Sequence, residues 1–165
     1  MNELVDALAK LPPTGGIVLR GLDGPAQDVP ALGVLTEVVA ASRDVLAATE
    51  NFTVRTLLVL LTRSGRDVSA LSAHRDDGEV LLLPGSPWRR LPDPVVPGAP
   101  VPVVALEELD PTGYCQPDSW PATLADLADA VAALVRTEPG AVAAVTRPGY
   151  FAGPWPTRTR DDGWT

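Results

Sequence analysis

Three carboxylates fall within four positions, Asp76, Asp77 and Glu79, in the stretch RDDGEVLLLPG (75–85), directly before an unbroken apolar run. Residues two apart on a strand project to the same side, so Asp77 and Glu79 share a face if the strand begins by Asp77. Carboxylates that close repel unless a cation lies beside them. Such a pair can stabilise a developing positive charge while one member handles a proton. The same residues also fit a polar turn ahead of a strand, because acid–glycine steps are ordinary turn chemistry. Both readings stay open on the local sequence.

The other reactive residue types are sparse. Cys115 is the only cysteine and His74 the only histidine, so no metal-binding array and no internal disulfide are expected. His74 reads as a loop residue, although it lies only three positions before Asp77. SGRD (64–67) reads as a turn rather than a phosphate loop, since no helix start follows it. A net charge of −8 with no segregated basic patch argues against nucleic acid as a partner. No apolar segment approaches the ~18 residues that cross a bilayer. MNELVDALAK is acidic and amphipathic, unlike an export signal. The expected setting is the cytoplasm, or secretion by a leaderless route.

Several elements must position the acids. Residues 2–10 form a short amphipathic helix stopped by PPTGG. Ile17–Leu22 reads as a strand carrying Arg20. Residues 33–52 fit either one long helix or a strand followed by a helix from Arg43 to Asn51. Leu57–Leu61 is a buried strand, and a turn at Ser64-Gly65 is expected to return the chain as DVSALS. Val80–Leu83 follows the acids, WRRL forms a short strand, and VPVVALEEL another. DSWPATLADLADAVAALVR is a helix with Ser119 as cap, Pro121 in the first turn and a Leu124, Leu127, Val131, Leu134 stripe. Ala141–Thr146 reads as a short strand, and GYFAGPWP in the tail is expected to pack back on the domain. The fold class is α+β.

The order of these elements resembles the mono-ADP-ribosyltransferase superfamily, in its Arg–Ser–Glu class. The resemblance covers about residues 13–110 and is best in SALSAHRDDGEVLLLPGS. It implies a split β-sheet core with small helices over 1–110. Residues 111–165 then form a C-terminal helical appendage and a Pro/aromatic tail packed on that core or extending from it. It also implies bacterial, toxin-like chemistry with NAD as substrate and no metal. Glu79 matches the catalytic glutamate that stabilises an oxocarbenium-like ribose as nicotinamide leaves. Asp77 takes the acceptor-positioning place, usually a Glu or Gln. Arg20 matches the arginine that holds the dinucleotide phosphates, and Ser42 the last serine of a Ser-Thr-Ser step that is Ala40-Ala41-Ser42 here.

Two functions follow from the resemblance. One is transfer of ADP-ribose from NAD to a protein or small-molecule acceptor, or NAD hydrolysis. The other is a pseudoenzyme, a binding module that engages a protein partner through its surface or tail. A working site requires Arg20, Ser42 and Glu79 to converge on an open cleft of about 300 Å³ or more. An inactive one would have that cleft filled, by Trp88 or by Tyr150, Phe151 and Trp155.

Overall fold

Val, Leu and Ala dominate the central strands, and both faces of those strands are covered. The computed structural model describes residues 2–110 and 120–159. Its longest strand, β4 (Thr56–Asp67), runs antiparallel to β1 (Pro13–Leu22) and parallel to β7 (Val103–Glu108). β3 (Val39–Ser42) and β5 (Glu79–Leu82) pair with each other and bridge β1 to the far end of β4, closing a ring of four strands. Beyond β7 lie β6 (Pro87–Arg90), β2 (Leu32–Leu35) and β8 (Thr157–Arg158).

Alternation along β4 explains its unbroken apolar run. Leu58 and Leu60 enter a cluster with Val18, Val104, Leu106, Trp88 and Trp155. Leu57, Val59 and Leu61 face the other way, onto Leu19, Ala105 and the helix α3 (Leu124–Val135). A strand buried on both faces has no polar side to show. The third cluster gathers Leu8 of α1 (Glu3–Ala9) with Ala40, Val68, Leu81 and Phe151.

Several expectations are corrected. The chain does not turn back at Ser64-Gly65. β4 bulges there instead, advancing three residues (Thr62 to Gly65) while β1 advances two. A bulge loses ladder hydrogen bonds, and Glu108 replaces them. Its carboxylate accepts from the Thr62 hydroxyl (2.8 Å), the Arg63 and Ser64 amides (2.6 and 3.0 Å) and the Ser64 hydroxyl. DVSALS follows with a 3₁₀ turn, Ser69–Leu71, and not a returning strand.

Residues 33–52 are not one helix. They hold the end of β2, then β3 and the short α2 (Val45–Ala48), which Asp44 caps. The expected helix to Asn51 stops early because Glu50, Asn51 and Phe52 take positive φ angles of 49°, 61° and 59°, unusual for such residues.

α3 opens at Leu124, so Pro121 precedes it, and Ser119 lies outside the described residues, as does Cys115. Thr123 and Asp126 close a capping box at its start. Ala141–Thr146 is not a strand. Its amide and carbonyl at Ala143 bond instead to the side chain of Asn51 (2.8 and 3.0 Å).

Candidate active site

The acidic corner is built by β3 and β5. Ser42 and Glu79 are register partners across this antiparallel pair. Asp77 ends a 3₁₀ turn (Arg75–Asp77), and Gly78 follows with φ 58°, in the left-handed region. A side chain at Gly78 would also meet Arg43 Cβ at 3.0 Å. The Ser42 hydroxyl accepts from the Asp44 amide (2.9 Å) and donates to the carbonyl of Asp77. The Arg43 amide donates to the Gly78 carbonyl (3.0 Å). Ser42 therefore pins the corner to β3. Asp77 is not on the strand face with Glu79, as expected from an earlier strand start. The turn reorients it, and the two carboxylates still meet.

They meet on Arg147. Its Nη2 donates to Glu79 Oε2 (3.1 Å) and to Asp77 Oδ2 (3.4 Å). The Tyr150 hydroxyl donates to Glu79 Oε1 at 2.5 Å. The Arg147 guanidinium also lies 3.9 Å from the Tyr150 ring centroid, a cation–π stack. Burial pulls the Arg147 pKa down, but the hydrogen bond and charge of Glu79, with help from Tyr150 and Asp77, leave it above its ordinary value. Burial and the bond to Glu79 push the Tyr150 phenol up to about 12.

Arg20 is buried on β1. Its Nη1 donates to the carbonyls of Ala40 (2.8 Å) and Tyr150 (3.2 Å), and its Nη2 to that of Pro154 (3.2 Å). Its Nε is buried without a hydrogen-bond partner. Burial lowers its pKa, and carbonyl oxygens compensate the cation only in part.

The segment that meets both Arg20 and Glu79 is fixed along its length. Glu50 accepts from the Gly149 amide. The Gly21 amide donates to the Phe151 carbonyl (2.9 Å), and the Gly153 amide to the Gly21 carbonyl (3.1 Å). Gly21 permits this approach: a Cβ there would sit 2.6 Å from Val54 and 3.0 Å from Ala152. Phe151 is buried, and Trp155 stacks edge-on against Trp88 with centroids 5.4 Å apart. The space left beside Asp77, Arg147 and Phe151 is about 10 Å³, room for one water. A cleft of about 350 Å³ adjoins it, lined by Asp77 itself with Asp44, His74, Asp76 and Thr146.

Solved structures share this arrangement of strands. Exoenzyme S from Pseudomonas aeruginosa, in complex with human 14-3-3 protein beta and bound to carba-NAD, is 20% identical with a TM-score of 0.50. That match covers 71% of this chain and 60% of that one. The ADP-ribosyltransferase Vis from Vibrio splendidus, in complex with agmatine, is 19% identical with a TM-score of 0.50, covering 67% and 57%. HopU1 of Pseudomonas syringae pv. Tomato DC3000, also an ADP-ribosyltransferase, is 17% identical with a TM-score of 0.50, covering 66% and 50%. The chain has the ADP-ribosyltransferase fold. It spans between half and three fifths of the length of these structures. No protein-family model and no curated protein matches it.

Within the ADP-ribosyltransferase fold, the residues singled out from sequence lie together on the β1–β3–β5 side. Ser42 faces Glu79 across a strand pair, Asp77 sits at the same corner, and Arg20 bonds to β3 at Ala40. Trp88 and Trp155 belong to the core, and Phe151 packs with Leu8, Ala40, Val68 and Leu81; of the expected tail residues, Tyr150 is the one that reaches Glu79. Arg147, Glu50 and Asn51 were not singled out from sequence. The available signal for Arg147 was its place in an arginine-bearing, aromatic segment of an acidic chain. Among the described residues no group of three or more His, Cys, Asp or Glu is placed to hold a metal, and no helix is long and apolar enough to cross a membrane.

Proposed function

We propose that the chain is an NAD-dependent ADP-ribosyltransferase whose acceptor carries a guanidinium group. The observation that carries this reading is the grip of Glu79 and Asp77 on one guanidinium nitrogen of Arg147. In the reaction, the bond between nicotinamide and the ribose C1 breaks, and its electron pair leaves with neutral nicotinamide. Glu79 stabilises the positive charge that develops on the ribose. An acceptor nitrogen then bonds to C1 and gives up a proton, with Asp77 orienting the acceptor and a carboxylate receiving the proton. Arg20 would turn its donors from backbone carbonyls to the dinucleotide phosphates, a role suited to a planar guanidinium. Ser42 acts by holding the Asp77–Glu79 corner. Agmatine, found with Vis, is a guanidinium compound of the required class.

A second reading is supported by the contacts that occupy Glu79, Asp77 and Arg20: a pseudoenzyme in which they are permanent, serving as a binding module. Transfer of labelled ADP-ribose from NAD to agmatine separates the two. The assay compares the native chain with Arg147→Ala, because Arg147 covers the carboxylates. Labelled agmatine that disappears when Glu79→Gln is added supports the enzyme. No transfer by either protein at saturating NAD contradicts it.

A further inference from the structure

The tail does more than fill space; it satisfies the charged groups of the site in pairs. Arg147 donates to both Asp77 and Glu79, Tyr150 donates to Glu79, and the carbonyls of Tyr150 and Pro154 accept from Arg20. A cation is thus presented to the two acids, and anionic dipole ends to the buried cation. The same three side chains would otherwise be open to a guanidinium and to phosphate. Residues 147–154 therefore imitate the charge pattern of both substrates at once, and beneath them Arg20 and Glu79 are only 6% and 4% exposed, whereas a bound ligand of that size needs an open cleft.

We propose that residues 147–154 form an inhibitory strap, with Arg147 standing in for the acceptor, and that the site works only when the strap lifts from Arg20 and Glu79. The inference rests on the enzyme reading for its purpose, but the strap's position can be measured without any turnover. The strap is flanked by anchors outside the catalytic set: Asn51 binds the backbone at Ala143, and Trp155 is seated on Trp88. Its centre is held by Arg147, Tyr150, the carbonyls on Arg20, Glu50 at the Gly149 amide and the Gly21 backbone at Phe151 and Gly153. Removing the Arg147 and Tyr150 side-chain contacts should loosen the centre while the anchors keep the fold. A site that is open only in a minor fraction of molecules binds its ligand weaker by that fraction.

The test uses the full chain, the double variant Arg147→Ala/Tyr150→Phe and NAD. Hydrogen exchange at the Gly21 and Gly153 amides reports the strap, and calorimetry reports NAD affinity. The expected result is faster exchange in the double variant together with NAD binding tighter by about tenfold or more. Unchanged exchange overturns the proposal, as does faster exchange with equal or undetectable NAD binding in both proteins. Nicotinamide release separates the two readings. Tighter NAD binding by the variant without release would keep the strap and end the enzyme reading. Release as fast from the native chain as from the variant would keep the enzyme and end the strap.

Discussion

The Tyr150 hydroxyl donates to Glu79 at 2.5 Å, while the carbonyl of the same residue accepts from Arg20 at 3.2 Å. One residue thus spans the distance between the two groups proposed above for NAD chemistry. It also carries a pH signature. The phenol's pKa rises from 10.0 to about 12, so the folded state favours the protonated form. The stability this contributes is fully present below pH 10 and is lost as pH rises toward about 12. The group is partly solvated, which reduces the effect to about 1 kcal/mol. Thermal unfolding followed between neutral and strongly alkaline pH should show a steeper alkaline loss in the native chain than in Tyr150→Phe. Parallel curves for the two proteins would contradict the assignment.

Glu108 predicts a large structural effect away from the site. Its carboxylate is the acceptor for Thr62, Arg63 and Ser64 at the β4 bulge. Glu108→Ala leaves those donors without their partner in a buried place, a cost of about 3 kcal/mol or more. Urea unfolding should show that loss, with Glu108→Gln recovering part of it. A change under 1 kcal/mol would mean that water replaces the carboxylate freely.

Thr123→Ala removes one half of the capping box of α3. The expected loss is about 1 kcal/mol, a fall in Tm of roughly 2–4 °C for a domain of this size. NAD binding should be unaffected, because α3 packs on the opposite cluster, against Leu57 and Val59.

Local chemistry made much of this structure legible. Buried strands announce themselves as runs such as LLVLL because both faces are covered, and the acids before β5 stood out by charge alone. Ser42 and Glu79 were brought together only by the family resemblance, and the β3–β5 register then sets them opposite each other. Ser64-Gly65 misled because its turn chemistry is local, whereas the carboxylate that keeps the chain extended is 44 residues away in sequence. Arg147 was invisible for the same reason: it reaches Glu79 across 68 residues, and no periodic pattern marks the segment that carries it. Asp77 was placed on a strand face by its spacing from Glu79, but the left-handed Gly78 between them breaks that periodicity.

The most direct test of the central claim, that Glu79 serves NAD cleavage, is nicotinamide release from NAD by Arg147→Ala/Tyr150→Phe, measured with and without Glu79→Gln. The account predicts release from the double variant and its loss, by about a hundredfold or more, when Glu79 becomes glutamine. Equal release with and without Glu79, or none from the double variant while it binds NAD, would contradict it.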